Sequence, residues 1–178
     1  VISKKYDKAI IGEIQQFGDG KKKGRKNKVK SEPRGLLTDK DVPFNVVESY
    51  KTIRANILFT AADSEKKVIA VSSANPGEGK STSAANLAIA LAQTGSSVLL
   101  IDADMRKSVQ HRTFQVKNSE GLSTLIIKKS SMENSVKNEV INNLDLLPSG
   151  PLPPNPSELL ASANFKSLLE QFAQKYDY

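Results

Sequence analysis

The order of apolar and polar residues in the middle of the chain predicts alternating strands and helices. Residues 67–71 form a short apolar run typical of a strand, and residues 81–94 follow with a helical pattern that Gly95 ends. A second β-rich run occupies residues 98–101. A strand, a helix and a strand in this order predict a right-handed βαβ unit with parallel strands, so both strands end at the same edge of the sheet.

The C-terminal part of the chain continues this pattern. Residues 144–147 predict another strand, and a stiff proline-rich loop follows it. Asn155 is placed to cap a helix over residues 156–174, which has proline at its first position and an apolar stripe along one face. Residues 175–178 are typical of the junction between that helix and a further strand.

Two patterns precede the βαβ unit. Residues 1–17 place apolar side chains at three- and four-residue spacing, but the segment is too short to be a domain. It is predicted to be either an interfacial helix or a peptide that docks on something larger. Residues 46–57 predict a helix with one apolar face, and Asn45 is its candidate cap.

The segment between the first predicted strand and helix has Walker A spacing, with Ala74 in place of the first glycine. Gly77 and Gly79 let the backbone turn its N–H groups onto phosphate oxygens. Lys80 can reach the β- and γ-phosphates, and Ser81 can ligate Mg²⁺. The residues expected to bind the nucleotide are Asn75, Gly77, Glu78, Gly79, Lys80, Ser81 and Thr82. An ordinary glycine-containing turn is the alternative, and the flanking strand and helix argue against it.

Two acids follow the second predicted strand. Asp102 and Asp104 should emerge at the same sheet edge as the phosphate loop, where an acid can reach an Mg²⁺ ion held by Ser81. The alternative is that they serve as a helix cap and a first-turn acid. His111, the only histidine, is expected to be a surface or packing residue.

Charge is concentrated at the N-terminus. Residues 1–30 hold ten lysines and arginines against three acids, an excess of seven that equals the formal net charge of the whole chain, +7. A neutral domain with a basic tail favours an anionic membrane surface or partner over nucleic acid, and a solvated spacer is the alternative. The chain has no cysteine, which agrees with a reducing cytoplasm. No apolar run approaches the roughly 20 residues that span a bilayer.

Three segments together carry a resemblance to a known family. Residues 72–81, 99–106 and 148–160 resemble the bacterial tyrosine kinases of capsule and exopolysaccharide synthesis, over a match that runs from about residue 45 to residue 178. The resemblance implies an α/β fold with a doubly wound, mostly parallel sheet of the P-loop NTPase type. It also implies an ATP- and Mg²⁺-dependent tyrosine autokinase that binds ATP and ADP.

The resemblance assigns roles to particular residues. Lys80 would act on the phosphates, while Asp102 and Asp104, in the motif called Walker A′, would bind Mg²⁺ and activate the acceptor hydroxyl. Glu48, Lys51 and Arg54 resemble the oligomerisation element Glu-x₂-Arg-x₂-Arg, with Lys51 in place of the first arginine. That exchange keeps the charge but loses a planar bidentate donor. An exposed intrahelical pair is the simpler interpretation of Glu48 and Lys51.

The family's activator is the cytoplasmic tail of a membrane-spanning polysaccharide co-polymerase. Residues 1–28 resemble such a tail and its linker, joined to a kinase domain over residues 29–178. Phe17 is a candidate docking residue near the nucleotide base, with helix packing as its alternative. The resemblance further implies homo-oligomers, a cognate tyrosine phosphatase, no nucleic acid partner, and a cytoplasmic location at the inner face of the membrane.

Two family features are missing from residues 1–178, namely the Walker B strand and the C-terminal tyrosine cluster. Tyr176 and Tyr178 sit where that strand would begin, so they are predicted to be strand residues and not phosphorylation targets. The natural polypeptide is expected to continue with a β-branched run that ends in an aspartate, and later with a tyrosine-rich tail. Alternatives to the kinase are a partition or septum-placement ATPase, whose signature lysine is replaced by Asn75, and a nucleotide-binding regulator of polysaccharide assembly.

Overall fold

The computed structural model describes residues 9–14, 35–60 and 68–178. The chain divides into two compact units, Val1–Glu65 and Lys66–Tyr178. Within the described ranges, no helix combines the length and the apolar character needed to cross a bilayer.

The N-terminal unit contains helix α1, Phe44–Thr60. Its buried side chains are Val46, Tyr50 and Ile53, so the predicted apolar face is confirmed. The prediction that Asn45 caps this helix is wrong, because the helix already includes Asn45. The carbonyl of Pro43 accepts hydrogen bonds from the amides of Val46 and Val47, and this closes the first turn earlier than the side-chain pattern indicated.

Residues 9–14 have no helical structure, so of the two alternatives for residues 1–17 the interfacial helix is not found in this stretch. The segment instead contacts α1 as a peptide without regular secondary structure. Asn56 Nδ2 donates to the carbonyl of Ile11 at 2.7 Å, and Gly12 lies so close to Ile53 that a Cβ atom there would overlap with its side chain. Phe17 and the basic linker lie outside the described residues.

A three-stranded sheet forms the centre of the C-terminal unit. Its strands are β1 (Val98–Ile101), β2 (Lys137–Ile141) and β3 (Leu144–Leu147), in the order β1-β3-β2. β1 and β3 are parallel and β2 and β3 are antiparallel with an irregular register. The predictions of β1 and β3 are confirmed. β2 was not predicted, because its sequence has no apolar alternation and the strand depends on its pairing with β3.

Six helices accompany the sheet in the described part of this unit. They are α2 (Lys80–Ala92), α3 (Gln110–Thr113), α4 (Leu122–Ile126), α5 (Met132–Ser135), α6 (Pro156–Leu160) and α7 (Ala163–Lys175). α2 confirms the helix predicted after the phosphate loop, and every residue from 85 to 92 in it is buried. The buried core on one side of the sheet includes Met105, Leu122, Ile126, Leu147 and Phe172.

The helix predicted over residues 156–174 consists of two helices. The chain breaks at Ser162, whose hydroxyl accepts a hydrogen bond from the amide of Phe165 and caps α7. Asn155 occupies the N-cap position of α6, as predicted, and its carbonyl accepts a hydrogen bond from the amide of Leu159 at 3.2 Å, but its side chain makes no capping bond. Asn155 Nδ2 donates instead to the carboxylate of Glu158 at 2.6 Å. A second residue with good capping chemistry, Ser162, therefore divides an otherwise continuous helical pattern.

The strand predicted over residues 67–71 is wrong for the described residues 68–71, which pair with no strand there. Val68, Ile69 and Val71 are 59%, 38% and 39% exposed. These residues line one side of a groove of about 650 Å³ whose other side includes β1, α2 and α7. The edge of β1 is contacted instead by the C-terminal residues, because the amide of Leu99 donates to the carbonyl of Tyr178 at 3.0 Å.

Candidate phosphate- and cation-binding site

The loop before α2 depends on two glycines. Gly77 and Gly79 both have φ of +86°, a left-handed conformation that side chains with a Cβ atom rarely adopt. A Cβ atom at either position would meet nothing within 4 Å. Backbone conformation, and not lack of space, is therefore what requires glycine at both positions, as the motif predicted.

Asn75 and Glu78 close the loop upon itself. The carboxylate of Glu78 accepts hydrogen bonds from the backbone amide of Asn75 at 3.0 Å and from its side chain at 2.9 Å. These bonds lower the pKa of Glu78, and the bond from the Asn75 side chain contributes most. Glu78 does not line the cavity that the loop surrounds, so the structure gives it a role in loop shape and shows no contact with that cavity.

The loop surrounds a cavity of about 670 Å³. The other residues that the sequence assigned to the nucleotide all line it, namely Asn75, Gly77, Gly79, Lys80, Ser81 and Thr82. Arg106 and Lys107 bring two further cationic side chains to the lining, and sequence reasoning did not identify them. The amides at the start of the thirteen-residue helix α2 add positive potential, so the cavity suits a polyphosphate.

Lys80 and Asp104 form an ion pair within this site. The distance from Lys80 Nζ to Asp104 Oδ2 is 2.6 Å, and the side chains are 35% and 28% exposed. The other carboxylate oxygen of Asp104 accepts from the amide of Lys107 at 2.9 Å. The hydrogen bond from Lys80 is the main cause that lowers the pKa of Asp104, so this carboxylate stays ionised. The structure thus brings together two residues that are 24 positions apart.

Asp102 follows β1 directly, as predicted, and it is buried, which the sequence did not indicate. Its Oδ2 accepts from the amides of Val109 and Gln110 at 3.1 and 3.0 Å, and its Oδ1 accepts from the amide of Asp104 at 3.3 Å. Burial raises the pKa of Asp102, although these hydrogen bonds oppose the shift. The carboxylate of Asp102 therefore caps the start of α3 from a distance, and this agrees in part with the alternative that Asp102 serves as a helix cap.

Sequence reasoning missed Gln110. Its Nε2 donates to the backbone carbonyl of Ser81 at 2.8 Å, and its side chain is buried. It lines the groove together with Lys80, Ser81, Asp102 and Asp104. No sequence pattern distinguishes this glutamine from any other, because its position depends on how the segment after β1 folds back onto α2.

The donor groups at this site fit Mg²⁺. Ser81 offers a hydroxyl, and Asp102 and Asp104 offer carboxylates, which are the oxygen ligands that this ion prefers. The described residues contain no group of three or more histidines, cysteines or acids that would enclose a metal by themselves. A site of this kind suits Mg²⁺ in a nucleotide complex, where a few protein ligands are completed by phosphate oxygens and water.

The candidate interface residues lie on α1. Lys51 Nζ and Glu48 Oε1 are 2.8 Å apart, so the predicted intrahelical pair is confirmed. Both side chains are about half exposed, and a pair of this kind contributes only a few tenths of a kcal/mol. Arg54 lies one turn further along the helix and is half-buried. Their participation in an interface between subunits stays a prediction.

The two C-terminal tyrosines have structural contacts. The hydroxyl of Tyr176 donates to Asp145 Oδ2 at 2.6 Å, and burial followed by this bond raises the pKa of the phenol. The carbonyl of Tyr178 accepts the amide of Leu99, so residue 178 lies along β1. Helix α7 ends at Lys175, in agreement with the predicted junction, but residues 176–178 form no strand, so the prediction that Tyr176 and Tyr178 are strand residues is not confirmed.

The fold and the glycine loop together define a P-loop nucleotide-binding protein. The family model described as an AAA domain matches residues 66–178. The tyrosine-protein kinase YwqD of Bacillus subtilis is 46% identical over 153 residues, which are 86% of this chain and 65% of the relative. The putative tyrosine-protein kinase CapB of Staphylococcus aureus is 42% identical over 133 residues, 75% of this chain and 58% of the relative. This chain thus spans about three fifths of the length of these two relatives.

Solved structures agree with these similarities. The chimerical protein CapA2B2 superposes with a TM-score of 0.83 at 38% identity, over 99% of this chain and 71% of that one. The kinase domain of the Escherichia coli tyrosine kinase ETK superposes with a TM-score of 0.84 at 27% identity, over 98% and 68%. The chain belongs to the AAA-domain family. The relatives and solved structures that it resembles include proteins named tyrosine-protein kinases.

Proposed function

We propose that this chain supplies the nucleotide site of an ATP- and Mg²⁺-dependent tyrosine autokinase that regulates capsular or exopolysaccharide synthesis and export. The observation that carries the proposal is the meeting of Lys80 and Asp104 at 2.6 Å beside the loop cavity, with Asp102 buried next to them. Lysine and acids in this arrangement supply what phosphoryl transfer needs, which is charge stabilisation and positioning.

The contacts of the site indicate how its residues would act. Lys80 pairs with Asp104 and would contact the phosphates of a bound nucleotide. Asp104, Asp102 and the hydroxyl of Ser81 would hold the cation. Mg²⁺, when bound, would neutralise charge on the β- and γ-phosphates. A carboxylate of the pair would orient or deprotonate the tyrosine hydroxyl that accepts the phosphoryl group.

The partners follow from the tail and from α1. We propose that residues 1–28 act as the activator tail, that residues 29–178 belong to the kinase, and that Phe17 docks near the nucleotide base. The protein CapA2B2, which matches 99% of this chain, is described as chimerical, and this supports a chain made of two joined parts. The basic charge of the tail favours an anionic membrane and supports a location at the inner face of the cell membrane. We further propose that the chain forms homo-oligomers through Glu48, Lys51 and Arg54. A cognate phosphatase is the remaining proposed partner.

The proposal is tested by incubating the full chain with ATP, Mg²⁺ and a tyrosine-containing acidic copolymer. Phosphotyrosine and released phosphate are measured in the same samples. We expect phosphotyrosine to form only with Mg²⁺, and to be lost in Lys80→Met but kept in the exposed control Lys117→Met. Phosphate release without phosphotyrosine would instead identify an ATPase, and nucleotide binding without either product would identify a regulator.

A further inference from the structure

The side chain and backbone of Gln110 link two of the residues assigned to the cation. Its Nε2 donates to the carbonyl of Ser81 at 2.8 Å, and its backbone amide donates to Asp102 Oδ2 at 3.0 Å. Gln110 is only 3% exposed, so both bonds are shielded from solvent. One residue therefore sets the spacing between the first turn of α2 and the end of β1.

The remaining polar atom of this side chain is unusual. Gln110 Oε1 is buried and has no hydrogen-bond partner within the described part of the chain. Buried amide oxygens nearly always have a partner, and exceptions call for an explanation such as a water or an ion. Gln110 lines the same groove as Ser81 and Asp102, so this residue borders the candidate cation site.

We propose that Gln110 is a positioning residue of the cation site, which holds Ser81 against Asp102 and offers Oε1 to a water molecule bound to the cation. The proposal rests on the proposed function, because it assumes that Ser81 and Asp102 serve a cation. Mg²⁺ in nucleotide sites keeps several water ligands, and each of these donates hydrogen bonds. A neutral amide accepts such a bond without adding charge next to the buried Asp102.

If Gln110 were only a packing residue, its replacement would have a different result. Loss of packing would lower the stability of the protein without ligand and would leave the affinity of the folded site for the cation unchanged. Loss of positioning would weaken cation binding in a protein whose stability without ligand is preserved. Residues that hold metal ligands from outside typically change metal affinity 10- to 100-fold when they are replaced, so the two cases are separable.

The test uses the full chain and Gln110→Met, which keeps the length of the side chain and removes both polar atoms. Mn²⁺ serves as the probe, and its dissociation constant is measured by electron paramagnetic resonance at saturating ADP. ADP affinity without metal and the melting temperature without ligand are measured in parallel. We expect Mn²⁺ affinity to fall about 10- to 100-fold, with ADP affinity and melting temperature close to those of the exposed control Gln171→Met.

A double variant separates positioning from independent packing. The side chain of Gln110 acts on the site through Ser81, so the losses of Mn²⁺ affinity in Gln110→Met and Ser81→Ala should combine to less than the product of the two factors. Losses that simply multiply would overturn the proposal. Gln110→Asn keeps the amide but shortens it by one methylene group, and it is expected to show the same kind of defect. It carries the test if the methionine variant does not fold.

The outcomes also distinguish this proposal from the function on which it rests. Unchanged Mn²⁺ affinity in Gln110→Met, in a protein whose wild type binds Mn²⁺ with ADP, overturns the role of Gln110 and leaves the proposed function standing. A wild-type chain that binds no Mn²⁺ in the presence of ADP contradicts the proposed function and removes the role of Gln110 with it.

Discussion

Residues 68–79 and residues 98–109 form two junctions that look alike in sequence and differ in structure. Each begins with a short apolar run and passes into a polar loop at the candidate site. The second run is the strand β1, which pairs with β3 in parallel, whereas residues 68–71 pair with no strand in the described chain and remain partly exposed. An apolar run becomes a strand only when another backbone lies within hydrogen-bond distance.

The loops of the two junctions are also held in different ways. The first loop depends on two left-handed glycines and on an exposed Asn75–Glu78 contact. The second loop depends on Asp102, a buried carboxylate that accepts hydrogen bonds from three backbone amides. Contacts at the surface contribute little to the free energy of unfolding, whereas a buried charge can raise or lower that free energy strongly. Substitutions at the second junction should therefore affect stability as well as function.

The largest effect should come from Lys80, which joins the two junctions. Lys80→Met is expected to reduce phosphoryl transfer by about 10²- to 10³-fold, because a preorganised positive charge on the phosphates is lost. The fold should remain, since Lys80 is about one third exposed and is not part of the core. Single-turnover kinetics and far-ultraviolet circular dichroism would measure both. Wild-type activity in this variant would remove Lys80 from the proposed chemistry.

The partner of Lys80 should have the next largest effect. Asp104→Asn is expected to weaken the apparent affinity for Mg²⁺ by at least tenfold, because a charged oxygen donor is replaced by a neutral one. Since the pKa of Asp104 is lowered in the folded protein, its contribution to stability is present above about pH 3.8 and is lost as the pH falls further. The difference in melting temperature between wild type and variant should therefore vanish in acid. A difference that persists there would contradict the ion pair.

The substitution Asp102→Asn should weaken cation binding and raise the stability of the protein without ligand. In Asp102→Asn, Oδ1 can still accept from the amides of Val109 and Gln110, while the cation loses a ligand and its affinity falls about tenfold. Because burial raises the pKa of Asp102, ionisation makes the folded wild type less stable as the pH rises from about 3.8 through the raised value. The asparagine variant avoids this loss, so without ligand it should melt a few degrees higher at neutral pH.

Melting curves at pH 4 and pH 7 test this directly, with the exposed Asp41→Asn as the matched control. The advantage of Asp102→Asn should grow between these two pH values, while the control should show none. A variant that is less stable than wild type at pH 7 would mean that the hydrogen bonds to the carboxylate outweigh the effect of its burial.

The smallest effect should come from the first junction. Glu78→Gln is expected to lower nucleotide affinity by only about two- to fivefold, because the glutamine still accepts a hydrogen bond from Asn75 and the site is exposed. Titration with a fluorescent ADP analogue would measure the change against Glu170→Gln. A loss as large as that expected for Asp104→Asn would contradict the comparison between the two junctions.

Local chemistry made much of the candidate site predictable. Gly77 and Gly79 predict a left-handed backbone conformation, as the structure has it. Lys80 predicts phosphate binding, and the hydroxyl of Ser81 predicts cation binding. The apolar run of β1 followed by two acids placed Asp102 and Asp104 at the sheet edge. The contact between Lys80 and Asp104 could be anticipated only as proximity, since the bond depends on how the second loop turns back toward α2.

The errors have physical causes that lie beyond the local sequence. Ser162 has capping chemistry inside a continuous helical pattern, and only the packing of α7 decides that a helix begins there. β2 has a polar sequence and forms because β3 lies beside it. Gln110 carries no motif, and its importance comes from its two bonds, one to Ser81 in α2 and one to Asp102 directly after β1.

The sequence by itself determined the P-loop class of this protein, the residues that can carry phosphate and cation chemistry, and the strands β1 and β3. These properties follow from the conformational freedom of glycine, the charge of side chains and the period of apolar residues, which act over a few positions. Only the tertiary structure decided which apolar run is paired, which polar residue caps each helix, and that Gln110 spans Ser81 and Asp102. Those outcomes depend on backbone and side-chain groups that meet only after the chain has folded.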